Sequence, residues 1–341
     1  MAYLNPQITI AGGGLAGLSL ACALRLRGVG VTVQEAGSYP RHRVCGEFIS
    51  GVTEETLENL GILDLFTDAR RHQSLAWHDQ GRLIHRTQFP EAAYGISRYR
   101  LDERIRQRLE SLGGKIETGI RVRPEPREGL VWAAGRRPCN GPWVGLKAHV
   151  RDIPMTADLE IYVGSNGYTG LAEVEDGWVN VCGLFQLNRQ TKAKPTNLLA
   201  SYIEAGGNSR LAQKLKAASW REDSFSAVAG FQLGKQSKIH GLLCVGDSES
   251  MIPPFTGNGM SMAFQAAEAA TGPLVAWAEG AIPWAEATAQ VDQRLEKKFH
   301  RRLGVAQAVH HLILSNAGRR LFHAAAATRV LPFRPLLSLI R

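Results

Sequence analysis

Cysteine is scarce in this chain, and the few present are poorly placed to staple a fold or hold a metal. Cys22, Cys45, Cys139, Cys182 and Cys244 are odd in number and scattered, with no Cys-x-x-Cys pair. That pattern excludes a disulfide framework and predicts a reducing, cytoplasmic compartment. The ten histidines lack an HExxH-type spacing, and the adjacent His310-His311 would point in different directions on a helix; no metal is expected. No uninterrupted apolar run reaches the ~18 residues of a spanning helix. The first strand begins almost at once, leaving no room for a signal-type leader. Acidic residues are missing from one place above all. From Val291 to Arg341 there are ten Lys/Arg against two Asp/Glu, whereas the rest of the chain is nearly balanced, so most of the net +9 sits in one terminal segment. Nucleic acid is not the expected partner of that charge, because interleaved aromatics and any nucleic-acid module are lacking.

The most informative feature stands at the start. Gln7 to Ala11 is an apolar strand pattern running into Gly12-Gly13-Gly14-Leu15-Ala16-Gly17, and Glu35 ends the next apolar run. Gly12 would make the tight turn, Gly14 would let backbone approach a pyrophosphate, and Gly17 would let helix and strand pack closely. Helix N–H groups at Leu15 and Ala16 would face the phosphates, and Glu35 the adenosine ribose. By itself this β-α-β unit leaves NAD, NADP and FAD open.

Further along, Thr53 reads as the cap of a short helix ended by Gly61, and Leu75–Phe89 as a hairpin around Gly81. Leu101, Ile105, Leu109 and Leu112 form a helical stripe after Arg98. From Trp143 to about Phe231 short strands alternate with Gly, Asn and Asp turns, which predicts an antiparallel sheet inserted into an α/β domain. Leu242–Asp247 then restores the buried parallel-strand pattern. The predicted fold class is α/β: a discontinuous Rossmann-like domain (1–74, 91–142, 235–285), an antiparallel-sheet domain (75–90, 143–234) and a basic amphipathic helical segment (286–341). That last segment reads either as a helix packed on the body or as an arm for peripheral contact with an anionic membrane.

Val245-Gly246-Asp247 followed by Pro254-Phe255-Thr256-Gly257-Asn258-Gly259-Met260 points to FAD. Asp247 at a strand end can bond a sugar-alcohol hydroxyl, and the glycines open a helix whose N-terminus can face a flavin ring. Together with Arg98 before Leu101-Asp102, these segments resemble the three FAD signatures of the group A flavoprotein monooxygenase superfamily over roughly residues 5–275. Within it, Arg43-Val44-Cys45-Gly46-Glu47 and Gly167-Tyr168-Thr169-Gly170-Leu171 look like the geranylgeranyl reductase-related branch. Ser250, where many hydroxylases carry histidine, leans the same way.

The resemblance implies an FAD-dependent oxidoreductase with NADPH or NADH as electron donor and a small hydrophobic substrate, such as an isoprenoid, alkyl-aromatic or polyketide-like molecule. It places Arg98 along the ribityl–pyrophosphate, Asp247 on the ribityl chain, Gly257–Met260 beside the ring, and Arg43 near the pyrophosphate or the incoming nicotinamide. Two departures matter. Relatives carry Asp-Gly where this chain reads Ala133-Ala134-Gly135-Arg136-Arg137, which leaves the two arginines to meet a phosphate or solvent. The pocket motifs of prenyl reductases and flavin halogenases are absent, so halogenation is not expected.

Cys45 is the candidate proton donor, its alternative role being a small side chain beside the flavin. Glu47 would orient a substrate hydroxyl or cap the following helix. Trp77, Tyr168, Trp178 and Phe185 would line the pocket, or simply be core. C=C reduction is the first expectation, aromatic hydroxylation the second, and a non-catalytic electron-transfer module the third.

Overall fold

The computed structural model describes residues 7–137, 139–188 and 195–327. Strand β1 (Ile8–Ala11), helix α1 (Leu15–Leu26) and β2 (Val31–Glu35) come first. They are followed by β3 (Phe48–Ile49), α2 (Glu54–Asn59), β4 (Arg70–Asp79), β5 (Arg82–Gly95), α3 (Arg98–Ser111), β6 (Lys115–Thr118) and β7 (Leu130–Trp132). The middle supplies β8 (Trp143–Arg151), β9 (Leu159–Gly164), β10 (Gly167–Glu173), β11 (Val179–Gln186), α4 (Pro195–Ala205), α5 (Ser209–Ala217) and β12 (Ser219–Ala229). The chain returns through β13 (Gly234–Lys235), β14 (Leu243–Cys244), β15 (Ser250–Met251), α6 (Gly259–Ala278), α7 (Trp284–Leu314) and α8 (Asn316–Ala327).

The apolar segments at Ile8, Val31 and Leu130 pair in parallel, giving a five-stranded sheet in the order β14-β7-β1-β2-β6. Crossover helices cover a parallel sheet, so its strands read as unbroken apolar runs. Helix α1 is buried continuously from Leu15 to Leu24, as expected of a helix enclosed on all sides. Its core contains residues of α3 and α6, including Leu109 and Phe264.

The second sheet has eight strands in the order β12-β8-β11-β10-β9-β4-β5-β3. Its pairings are antiparallel except β4 with β9, where Leu75 lies opposite Leu159. The hairpin extends beyond residues 75–90, since β4 and β5 pair from Arg70 opposite Gly95 to Asp79 opposite Arg82. Side-chain alternation gives this sheet two faces. On the outer face Leu146, Val150, Val181 and Phe185 pack under Leu199, Ile203 and Leu215 of α4 and α5. The inner face carries Leu75, Trp77, Ile161, Tyr168 and Leu184 toward the centre of the molecule.

The basic C-terminal segment begins as one 31-residue helix, α7. Its buried seam Ala287, Val291, Leu295, Phe299, Arg302, Ala306, His310 and Ile313 recurs every three or four residues, so the helix lies packed on the body. Its first part joins the core of the parallel-sheet domain, and Ile313 joins the core under the second sheet. Leu312 and Leu321 remain exposed on α7 and α8. Pro332, Pro335 and the apolar run from Leu336 to Ile340 lie outside the described residues. Among the described residues no helix is long and apolar enough to cross a membrane.

Candidate functional site: a dinucleotide cradle facing an apolar cavity

The glycine turn is built by steric necessity. Gly12 has φ +110°, and a Cβ there would lie 2.4 Å from the Ala133 carbonyl oxygen. A Cβ on Gly17 would stand 2.0 Å from the Gly12 carbonyl oxygen. Gly14 is the N-cap of α1 and faces open space, its nearest neighbour being Arg98 Nη2 at 3.9 Å from the would-be Cβ. Leu15 and Ala16 open the helix and are buried.

Glu35 is buried and accepts from the Gly13 and Gly37 N–H groups, both at 2.8 Å, and from Arg41 at 2.7 Å. Burial pushes its carboxyl up, but the Gly37 N–H, Arg43, Arg41 and the Gly13 N–H hold it below its usual range. A carboxylate anchored this way orders the loop on which a ribose would rest.

Arg98 begins α3, which Ser97 caps by accepting the Arg100 N–H. Its guanidinium grips Asp102 with both arms, at 2.7 and 2.8 Å, and Arg43 Nε reaches the same fully buried carboxylate at 3.0 Å. Burial opposes the charge on Arg98, but Asp102 and, after it, the nearby Cys45 raise its pKa. Burial raises the Cys45 thiol as well, with Arg98 pulling it down less strongly. The thiol therefore stays protonated. Asp247 also senses Arg98. Protein surrounding its carboxyl raises the pKa, against Arg98 and Arg136, although the side chain remains accessible along a crevice that it shares with Gly246, Ser250, Met262 and Gly259.

A Cβ on Gly46 would meet nothing within 4 Å, and one on Gly259 only Ile252 at 4.0 Å. Tight packing at Gly12 and Gly17, with open space at Gly14, Gly46 and Gly259, fits an extended dinucleotide lying past Arg98. Arg136 is tied to the Gly230 and Ala229 carbonyls and lies over the Phe231 ring, which leaves it a structural rather than a phosphate-facing role.

Beside the Gly257 turn (φ +67°) lies an apolar cavity of about 60 Å³. Phe48, Trp77, Ile161 and Phe255 form walls, and Ile313 and Phe322 close it from α7 and α8. Pro254 is exposed in the turn before Gly257, Asn258 is buried and accepts from Ser50 Oγ at 2.9 Å, and the Met260 side chain points into the core.

Of the aromatics anticipated for a pocket, Trp77 lines this cavity and Tyr168 stands behind Phe255, accepting its N–H at 3.2 Å. Phe185 and Trp178 do not line it. Phe185 has outer-face parity and packs on Tyr202, whereas Trp178 sits beneath the guanidinium of Arg151.

Glu47 is neither in the cavity nor a cap of α2, whose cap is Thr53. It is fully buried and receives the Arg98 N–H at 3.0 Å, Lys147 Nζ at 3.2 Å and His149 Nε2 at 2.5 Å. Lys147 also reaches His42 Nδ1 at 3.0 Å. Burial alone would raise the Glu47 carboxyl, but Lys147 and His149 hold it down at about 2. His42 is pushed down to about 4 by burial and by Lys147, so it is neutral. These partners escaped the sequence reading. The available signal was two polar residues, Lys147 and His149, at strand spacing within the otherwise apolar run Val144–Val150. His42, Glu47 and His149 bring three metal-capable atoms within 4.8 Å of one another, but the Lys147 ammonium already lies against two of those residues.

Residues 5–130 match the family model of an FAD binding domain. A menaquinone reductase of Mycobacterium tuberculosis is 26% identical over 122 residues, 35% of this chain; the match spans 30% of the relative's length. Among solved structures, Pseudomonas aeruginosa PqsL, a "probable FAD-dependent monooxygenase", superposes with a TM-score of 0.70 at 17% identity, covering 95% of this chain and all of that one. The p-nitrophenol 4-monooxygenase PnpA of Pseudomonas putida gives 0.73 at 14% identity, covering 98% and 97%. Residues 5–130 are therefore similar to an FAD-binding domain, and over nearly its whole length the chain has the fold of these flavin-dependent monooxygenases.

Proposed function

We propose that the chain is an FAD-dependent oxidoreductase of the geranylgeranyl reductase-related kind that reduces a C=C bond in an apolar organic substrate, an isoprenoid, alkyl-aromatic or polyketide-like molecule. The observation carrying this reading is the aromatic-walled cavity that abuts the Gly257–Gly259 turn. FAD, when bound, would supply hydride, with NADPH or NADH as the donor that recharges it. The rest falls to the protein. The cavity walls desolvate the substrate, the Arg98–Asp102 pair carries charge into the crevice, and Cys45 holds a proton that its raised pKa keeps available.

The sequence relation to menaquinone reductases supports reduction. Hydroxylation is the second reading, favoured by the fold shared with monooxygenases and by a cavity closed from above by α7 and α8. An electron-transfer module without turnover would have no use for such a cavity. The exposed Leu312 and Leu321 near Arg320 support peripheral contact with an anionic membrane at a cytoplasmic face, and co-sedimentation with anionic vesicles tests it.

Anaerobic incubation with FAD, NADPH and an apolar unsaturated acceptor should give a product heavier by two hydrogens. A product heavier by one oxygen, formed only in air, would replace reduction with hydroxylation. Cys45→Ala is expected to slow turnover by about 10²-fold, the usual range for losing a general acid, while flavin reduction by NADPH keeps its rate. Unchanged turnover would return Cys45 to a packing role. Ile161→Trp, which fills the cavity, should raise KM by about tenfold without altering FAD content.

A further inference from the structure

Glu47 stands in a conformation that it would not choose alone. Its φ is +52°, in the left-handed region that side chains other than glycine rarely adopt, and such backbone persists only where its surroundings overdetermine it. Here the surroundings come from two domains. Lys147 and His149 descend from β8 of the roof sheet, at spacing two and with inner-face parity, while the Arg98 N–H rises from the start of α3 in the FAD-binding domain. Two residues back in the chain, the Cys45 carbonyl accepts Asn180 Nδ2 at 3.0 Å, and Asn180 sits opposite His149 on the neighbouring strand β11. The turn Cys45-Gly46-Glu47 is thus held from the roof at both ends. Its middle residue, Gly46, is exposed with open space beside it.

Burying four polar side chains at this place is costly. Lys147 and Glu47 are both 0% exposed, and His149 Nδ1 and Asn180 Oδ1 have no hydrogen-bond partner among the described residues. Replacing such a cluster with apolar residues is often neutral or stabilising, so its presence calls for a reason other than fold stability.

We propose that the Lys147–Glu47–His149 cluster, with Asn180, is a positioning device that presents the Cys45–Gly46 peptide to the flavin and so couples the substrate-side sheet to the cofactor. The proposal rests on the reading that FAD lies in the crevice past Arg98. Lys147 acts through Glu47 and touches neither cofactor nor substrate.

The test uses Lys147→Met, Glu47→Gln, the double variant and Asn180→Ala. The readouts are thermal midpoint, FAD affinity by flavin fluorescence, and the rate of Cys45 alkylation in FAD-free protein, followed by peptide mass. Each charge variant should bind FAD about tenfold more weakly and expose Cys45 to alkylation about tenfold faster. The double variant, with no stranded charge, should regain most of the thermal midpoint but neither the affinity nor the slow alkylation. Asn180→Ala releases the Cys45 carbonyl without stranding a charge, and it decides the matter should the charge variants fail to fold. It should speed alkylation about threefold, the equivalent of losing a modest hydrogen bond. Native alkylation and FAD affinity in the double variant, or an unchanged alkylation rate in Asn180→Ala, would overturn the proposal and leave the cluster merely structural. A native chain that binds no FAD would sink the cofactor reading instead, while the alkylation measurements would still judge the cluster.

Discussion

Gly17→Val should abolish FAD binding and destabilise the chain by about 3 kcal/mol or more, the range of severe overpacking and backbone strain. Even a single added carbon would stand 2.0 Å from the Gly12 carbonyl oxygen, with backbone on both sides of the clash. The start of α1 would have to slide away from β1, taking with it the N–H groups expected to face a pyrophosphate. Gly12→Ala should act in the same direction, since it adds a contact of 2.4 Å to the Ala133 carbonyl at φ +110°. Gly14→Ala and Gly46→Ala make the contrast. Their neighbours leave room for a methyl group, so the FAD-free protein should keep its thermal midpoint while FAD affinity falls. Circular-dichroism melts of FAD-free protein and flavin fluorescence titrations separate these two classes of glycine. A Gly17→Val protein that binds FAD normally would refute the packing argument.

Acid should unfold the chain in two stages. His310 is 4% exposed, neither ring nitrogen has a partner among the described residues, and burial, helped slightly by His311, pushes its pKa down to about 4. The unfolded chain takes up a proton near the ordinary histidine value of 6.5, which the folded chain refuses. Stability therefore falls as pH drops from about 6.5 to about 4, by on the order of 2–3 kcal/mol from His310. His42 adds to the same window, less strongly because it is only half-buried. The second stage is shared by the carboxylates that the fold holds low, among them Glu35, Asp68, Asp158, Glu160 and the fully buried Glu47. The Glu47 carboxylate is held at about 2 in the fold against 4.5 when free, so the stability that it contributes is present above 4.5 and drains away toward 2. His310→Phe should shrink the first stage, leaving the part due to His42, His72 and His78, and leave the second, and it should gain stability at neutral pH because two unsatisfied nitrogens disappear. Urea midpoints measured from pH 8 to pH 3 would show this. A His310→Phe curve parallel to the native one would refute the assignment.

How much of this was legible in the sequence depends on the distance between partners. The turn Gly12–Gly17, Glu35 and the cap at Thr53 act on neighbours within one β-α-β unit or one helix, and local spacing reveals them. Arg98 is legible as a candidate cofactor residue, but its grip on Asp102 at the start of α3 is not, because i,i+4 pairs are usually surface features. Trp178 lies in the turn before β11, beneath Arg151, and Phe185 was misplaced for a different reason. In a strand buried on both faces, alternation no longer says which face is which. The pairing of Glu47 with Lys147 joins residues a hundred positions apart, and no periodicity announces it. Nor did composition show that α7 would supply the cavity's closing wall, since its apolar seam serves the FAD-binding core over most of its length and the cavity only at the end.

The order β14-β7-β1-β2-β6 has a kinetic consequence. Strand β14 pairs with β7, yet five of the eight strands of the second sheet, β8 to β12, are made between them. Until that excursion closes, β7 presents an unpaired, apolar edge to solvent. Such distant parallel pairings form slowly, because the entropy of closing a long loop is lost before any contact compensates it. Newly made chains should therefore pass through a lifetime in which aggregation competes with completion of the sheet, and yield in a host cell should rise with chaperone supply and lower temperature more than with any increase in native stability.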